Sequence, residues 1–173
     1  MPPSIEPIAV VGEWIRHAPH GADPLGRPAR PTAGRWQGAD VVRGLYLADT
    51  PATAVAEWYR WLAERGVPPA RAIPHDHHRW RVSLDVANLS TPERLAALGL
   101  ELPRPSRRSW PPFQEVGERL FRAGWRGVLA PSAARPGSRV LCVFAERWPP
   151  AGCRPVRVEA IAAVPVPPTG MRT

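Results

Sequence analysis

The chain has 173 residues, enough for one domain that buries roughly two thirds of the surface its unfolded form exposes. All 23 basic residues are arginine, so a lysine Schiff base, a lysine nucleophile and a phosphate-binding loop of the GxxxxGK(S/T) type are excluded. The formal net charge of +8 favours anionic partners such as nucleic acid, a phosphorylated small molecule or an acidic protein, although a solvated basic surface is the simpler explanation.

The cysteines and the amino-terminal sequence bear on the cellular compartment. Cys142 lies in an apolar strand pattern and Cys153 in a loop rich in proline and glycine, which fits neither a disulfide framework nor a zinc site. No basic flank and cleavage site of a signal peptide is visible, and no run of about 18 apolar residues occurs. We therefore expect reduced thiols, no membrane segment and a cytoplasmic location.

The first predicted strand contains the sequence GLYLA. Leu45 and Leu47 alternate there with Tyr46, which predicts that both leucines are buried on one face and that the tyrosine lies on the other. Tyr46 is therefore expected to be available to a cleft. The 24 prolines predict short elements throughout, with loops at residues 18–33, 67–74, 102–112 and 148–155.

A helix is predicted directly after this strand. Thr50 followed by Pro51 is typical of a helix start, and Gly66 is typical of a helix end, so Glu57 is expected in the middle of the helix. The apolar stripe of this helix is expected to consist of Val55, Trp58 and Leu62.

The rest of the chain predicts three further strands and two helices before a last strand. The strands are expected from Arg79, where apolar and polar residues alternate, and in GVLAPS and RVLCVFA, which are joined by a turn at Pro136-Gly137. Ser90-Thr91-Pro92-Glu93 is a capping box for a short helix, and a longer helix is expected at 113–123. The last strand is expected at 156–164. Without a regular βαβ repeat, the fold class is predicted to be α+β, in a single domain over 1–173 with its core at about 13–145.

Four polar residues in or beside the predicted strands and helices are candidates for a functional site. Arg35, Tyr46 and Glu57 are spaced 11 residues apart, and Ser132 ends the strand in GVLAPS. A planar guanidinium at Arg35 can hold a pyrophosphate or a carboxylate through two parallel hydrogen bonds.

Each candidate also has a purely structural interpretation. Arg35 could stack on Trp36, Glu57 could pair with Arg60 on the helix surface, Tyr46 could be a half-buried core residue, and Ser132 could cap a turn.

The order of these motifs resembles the RES family. GRW at 34–36 is followed by YLA at 46–48, by AxAE ending at Glu57, and later by PSA at 131–133. Arg16 in EWIRHA matches an earlier arginine common in the family. Two departures are Gln37, where many members have asparagine, and Ala33, which replaces a second glycine.

The resemblance implies a fold like that of ADP-ribosyltransferases and a toxin that consumes NAD as a substrate rather than holding it as a cofactor. Glu57 would stabilise positive charge on the ribose as the nicotinamide leaves, in analogy with glycoside cleavage. The pyrophosphate would be held by Arg35 and Arg16, the nicotinamide would pack on Tyr46, and Ser132 would bind the ribose or a phosphate. The acceptor is left open between water, phosphate and a protein side chain, which spans hydrolase and transferase activities.

The implied partner is a helix-turn-helix antitoxin of the Xre type. The protein itself would not bind nucleic acid, and any such contact would be made by the antitoxin. Two other functions stay open: a basic nucleic-acid-binding domain, and an inactive regulatory domain that only binds NAD.

The arginine-rich segment 104–108 is expected to be a solvated loop or a cover over the cleft. The consecutive residues His75-Asp76-His77-His78 are expected in a loop, in an arrangement that does not favour a metal site.

Overall fold

The computed structural model describes residues 5–26 and 32–173, so part of the loop predicted at 18–33 lies outside the described residues. Six strands and three α-helices lie within these ranges. The strands are β1 Pro7–Pro19, β2 Arg43–Ala48, β3 His75–Asn88, β4 Gly127–Pro131, β5 Arg139–Ala145 and β6 Cys153–Ile161. The helices are α1 Pro51–Ala63, α2 Pro92–Ala96 and α3 Trp110–Arg122, with short 3-10 turns at Pro69–Arg71 and Arg107–Ser109. The predicted α+β class is confirmed.

The strands form one mixed sheet that closes on itself, in the order β1-β2-β5-β4-β3-β6 with an additional pairing of β1 with β3. In one half, β3 pairs antiparallel with both β1 and β6; in the other half, β5 pairs antiparallel with both β2 and β4. Among the described residues, backbone pairing joins the two halves at two narrow junctions: Ile15 pairs with Ala48 at one, and Ala87 and Asn88 pair with β4 in parallel at the other. The β1–β2 junction is therefore a natural place for a cleft.

Two apolar cores hold the sheet. One lies between the two halves and combines residues of all six strands, among them Trp14, Leu47, Trp80, Val82 and Leu141. The other lies where α2 and α3 cover the opposite face of β4 and β5; its members include Trp36, Phe113, Val116, Leu120, Val128 and Phe144. Trp36 thus anchors the segment just before β2 in the second core.

The predictions for β2 and for the start and end of α1 are confirmed, whereas Val55 of the predicted apolar stripe is only half-buried. Leu45 and Leu47 are buried in the core between the sheet halves, and Tyr46 packs against the second core on the other face. Thr50 caps α1 by accepting a hydrogen bond from the backbone N–H of Thr53 at 3.1 Å. Gly66 has φ +62°, a conformation that glycine adopts without the steric cost of a side chain.

The prediction of a loop at His75–His78 was wrong, because these residues begin β3. Their backbone pairs with β1 on one side and with β6 on the other. His75 lies opposite Pro19 of β1 and opposite Ile161 of β6. Two ladders of hydrogen bonds outweigh the weak strand preference of aspartate. β1 itself was not predicted, since exposed Val11 breaks its apolar alternation.

Several element boundaries also differ. The last strand is Cys153–Ile161 instead of 156–164, and α3 starts at Trp110, three residues before the predicted Phe113. Prolines 111 and 112 are tolerated there because the first helical turn has no intrahelical acceptor for their missing N–H groups. None of the helices that the structure describes is long and apolar enough to cross a membrane.

Candidate functional site

A cleft of about 710 Å³ opens beside the junction of β1 and β2, with α1 along one wall. Four of the five site residues expected from the sequence line it: Arg16 from β1, Arg35 from the loop before β2, Tyr46 from β2 and Glu57 from α1. Ser132 does not line the cleft, but its hydroxyl is bonded to Glu57. The fold therefore brings all five residues together.

The Glu57 carboxylate is held at both oxygens. The Ser132 hydroxyl donates a hydrogen bond to Oε1 at 2.7 Å, and Nε of Arg60 donates to Oε2 at 2.7 Å. Since each carboxylate oxygen offers two acceptor sites, each can still interact with a further group. The ion pair with Arg60 that we considered as a structural alternative is present, and the bond to Ser132 exists beside it.

Ser132 caps a turn, as its structural interpretation expected, and it also bonds Glu57. Its Oγ accepts hydrogen bonds from the backbone N–H groups of Ala134 at 3.2 Å and Arg135 at 3.0 Å, which caps the turn after β4. The same hydroxyl donates its proton to Glu57. Capping the turn thus fixes the direction of this bond, whereas contact of Ser132 with a bound ribose or phosphate stays a prediction.

Arg35 lies in a tight turn between Gly34 and Gln37 and is 8% exposed. Its guanidinium donates to the carbonyl of Arg104 at 2.6 Å and to Oγ of Ser109 at 3.1 Å. It also lies over the ring of Phe113, instead of over Trp36, at 5.2 Å from the ring centroid. Burial lowers the pKa of Arg35 to about 10, so the side chain is still a cation at neutral pH.

Tyr46 shapes the turn that carries Arg35. Its hydroxyl donates to Oε1 of Gln37 at 2.6 Å and accepts from the backbone N–H of Trp36 at 2.9 Å. A Cβ on Gly34 would come within 2.2 Å of that hydroxyl, which explains the glycine of the GRW motif. Burial raises the pKa of Tyr46 well above its ordinary value, so the phenol keeps its proton.

The departure at Gln37 therefore has a structural role. Gln37 is buried and uses its Nε2 to donate to the carbonyl of Thr32 at 2.8 Å, while its Oε1 accepts from Tyr46. Its amide links the two ends of the loop that positions Arg35. From the sequence, only its difference from asparagine was visible.

The arginines of the segment 104–108 are exposed, as the solvated-loop interpretation expected, and none of its residues lines the cleft, although two of them contact residues that do. The carbonyl of Arg104 binds Arg35, and Arg107 lies 3.6 Å from the carboxylate of Glu64 and over the ring of Trp110. Trp110 lines the cleft.

The cleft residues that the sequence did not mark as site candidates include His17, Arg60 and Glu64. Arg60 appeared only as a surface partner of Glu57, and nothing local distinguishes His17 or Glu64. His17 lies edge-on to Trp61, with ring centroids 6.1 Å apart. Burial, with the nearby charges of Arg60 and Arg16, lowers the pKa of His17 to about 3, so its ring is neutral at physiological pH.

The histidines that begin β3 pack against neighbouring rings. His75 stacks on Trp58 at 4.3 Å, and His77 meets His75 edge-on at 5.3 Å. Asp76 binds Nδ1 of His20 at 2.8 Å. Within residues 5–26 and 32–173, no group of three or more histidine, cysteine, aspartate or glutamate side chains is arranged to hold a metal ion.

Comparison with known proteins decides the family. A sequence model of the RES domain matches residues 12–166. The chain belongs to the RES domain family. This RES domain also resembles a chain of the crystal structure of the M. tuberculosis MbcT-MbcA toxin-antitoxin complex, the MbcT toxin, with a TM-score of 0.77 and 26% sequence identity over 90% of this chain and 87% of that one. No curated protein sequence matches the chain significantly.

Proposed function

We propose that this RES domain consumes NAD by cleaving the bond between nicotinamide and ribose. The observation that carries the proposal is the bond between Glu57 and Ser132, which joins α1 to the end of β4 in a cleft that also contains the cation Arg35. The three residue types that name the family thus converge, although 75 residues separate the glutamate from the serine.

The arrangement suits heterolysis of the glycosidic bond. As the bond from the ribose carbon to nicotinamide breaks, its electron pair leaves with the ring nitrogen and positive charge develops on the ribose. A fixed carboxylate at Glu57 stabilises that charge more strongly in the transition state than in the ground state. The acceptor then supplies an oxygen for the new bond, and water, inorganic phosphate and a protein side chain all satisfy this chemistry.

Binding of the pyrophosphate is assigned to Arg35, assisted by Arg16. A guanidinium has five N–H donors, and the two bonds from Arg35 to Arg104 and Ser109 leave further donors for a ligand. Arg16 lines the same cleft and lies over the ring of Trp148 at 5.6 Å. Tyr46, whose hydroxyl is already engaged, would contact the nicotinamide through its ring.

The decisive experiment is incubation of the purified protein with NAD. Nicotinamide release is followed by chromatography with water alone, with added phosphate and with a protein acceptor, and the second product identifies the acceptor: ADP-ribose, a phosphorylated ADP-ribose or a modified protein. Absence of nicotinamide under all three conditions contradicts the proposal. NAD binding without turnover would instead favour an inactive regulatory domain.

We further propose that the protein is the toxin of a toxin–antitoxin pair, because the similar M. tuberculosis structure is such a complex. The partner would be a helix-turn-helix antitoxin of the Xre type, whose anionic carboxyl-terminal segment enters the cleft near Arg35 and competes with NAD. Growth arrest with loss of cellular NAD on expression of the chain alone, relieved by the product of the adjacent gene, is the expected result. Undiminished NAD in arrested or growing cells would contradict the toxin role.

A further inference from the structure

Helix α1 presents three charged side chains to the cleft at a spacing of three and four residues. Glu57, Arg60 and Glu64 follow this spacing, which places them on one face of the helix. Nε of Arg60 donates to Oε2 of Glu57 at 2.7 Å, and its Nη1 donates to Oε1 of Glu64. A single guanidinium therefore bridges two carboxylates.

These side chains are largely withdrawn from water. The exposed fraction is 13% for Glu57, 16% for Arg60 and 9% for Glu64. Burial opposes the charge of Arg60, but the carboxylates of Glu57 and Glu64 outweigh it and raise the pKa of Arg60 above its ordinary value. Arg60 is thus a permanent cation with a fixed direction, unlike an arginine of an exposed helical ion pair.

Glu64 has a distinct role in this trio. A cation paired with Glu57 alone would cancel the negative charge that the proposed reaction needs, whereas the second carboxylate leaves the three groups with one net negative charge. Other charged or titratable groups face the trio from the surrounding elements: Arg35 from the loop before β2, Arg65 at the end of α1, Arg107 from the 3-10 turn, and His17 from β1.

We propose that Arg60, held by Glu64, is the positioning residue of Glu57: it fixes the direction of the carboxylate and keeps a cation beside it during the cleavage. This inference rests on the proposed NAD-consuming function. It assigns Arg60 no contact with the substrate and places its effect entirely on Glu57.

The test compares the variants Arg60→Gln, Arg60→Lys and Glu64→Gln with the wild type by steady-state nicotinamide release across acid to neutral pH. Arg60→Gln is expected to lower kcat about 100-fold with little change in KM, because misplacement of a catalytic group mainly affects the reacting geometry. The acid limb of the pH profile is expected to move upward by about one pH unit, since loss of a nearby cation favours the protonated carboxyl. Arg60→Lys restores the charge and should recover the acid limb and part of kcat.

Arg122→Gln is the matched control, because Arg122 pairs with Glu118 at 3.7 Å in the same four-residue helical spacing on α3. It should leave kcat and the pH profile unchanged. Glu64→Gln should lower kcat less than Arg60→Gln does, and it serves as the second variant if Arg60→Gln does not fold.

A readout without NAD separates this inference from the proposed function. The carboxyl carbons of the glutamates are titrated by ¹³C NMR, with Glu57 assigned by loss of its signal in Glu57→Gln. Protonation of Glu57 at a higher pH in Arg60→Gln than in wild type supports the inference even if the wild type releases no nicotinamide. Unchanged titration and an unchanged acid limb overturn it, including when kcat falls, because Arg60 would then act only on the fold.

Discussion

At the scale of single residues, the side chains that hold the fold together also hold the candidate site in place. Ser132 caps the turn after β4 and by the same hydroxyl bonds Glu57. Tyr46 is a packed core residue and also fixes the turn of Arg35 through Gln37 and Trp36. A side chain that is already constrained by structural bonds can hold a reacting group in place without further loss of conformational entropy.

The residue-scale prediction concerns Glu57→Gln, which keeps the shape of the side chain and removes its charge. Nicotinamide release should fall by about 10²- to 10³-fold, the scale of one lost electrostatic contact, while the dissociation constant for NAD measured by calorimetry should change little. Glu118→Gln, on α3, is the matched control and should stay as active as wild type. Full activity of Glu57→Gln would show that the carboxylate has another role.

At the scale of elements, α3 determines where the Arg35 turn sits. Gly117 packs against the backbone of Trp36, and a Cβ at this position would come within 1.9 Å of the Trp36 carbonyl oxygen. From the same helix, Gln114 donates to the carbonyl of Gly34 at 2.8 Å. The helix therefore holds the turn from both sides of Arg35.

We predict that Gly117→Ala weakens NAD binding as well as stability. The methyl group must displace the Trp36 backbone, and such overpacking costs about 1 to 3 kcal/mol in the free energy of unfolding. Urea unfolding and NAD titration of the same sample measure both effects. Gly124→Ala is the control: its φ of +87° makes it destabilising too, but nothing lies within 4 Å of the added Cβ, so NAD affinity should be unchanged.

If Gly117→Ala and Gly124→Ala weaken NAD binding equally, the effect comes from general destabilisation and the packing of α3 on the Arg35 turn is not decisive.

At the scale of the whole molecule, closure of the sheet gathers the histidines of the chain. The pairing of β1 with β3 places His17 opposite His77, and His75 and His20 lie close to them. Burial, with the charges of Arg60 and Arg16, lowers the pKa of His17 to about 3, and burial, with His75 and Arg79, lowers that of His77 to about 4.

Mild acid should therefore destabilise the fold. In the unfolded chain these histidines bind protons near about pH 6.5, while in the folded protein His17 and His77 stay neutral until about pH 3 to 4. Between these values the unfolded state binds more protons, so the free energy of unfolding must fall as the pH falls below about 6.5.

The measurement is the urea midpoint of unfolding at a series of pH values between neutral and pH 5. The midpoint should fall as the pH is lowered in the wild type, and it should fall less steeply in the double variant His17→Gln, His77→Gln. A midpoint that does not change over this range would contradict the assignment of histidines that stay neutral in the folded protein.

What the sequence determined by itself is local. The cap at Thr50, the alternation around Tyr46 and the stop at Gly66 are each encoded within a few residues, so β2, α1 and the mid-helix position of Glu57 were predictable. The motif spacing likewise pointed to the RES family. Tertiary structure decided the rest: the bond of Glu57 to Ser132 spans 75 residues, and those of Arg35 to Arg104 and Ser109 span 69 and 74. It also made His75–His78 a strand, because their backbone pairs with β1 and β6, and no window of local sequence contains those partners.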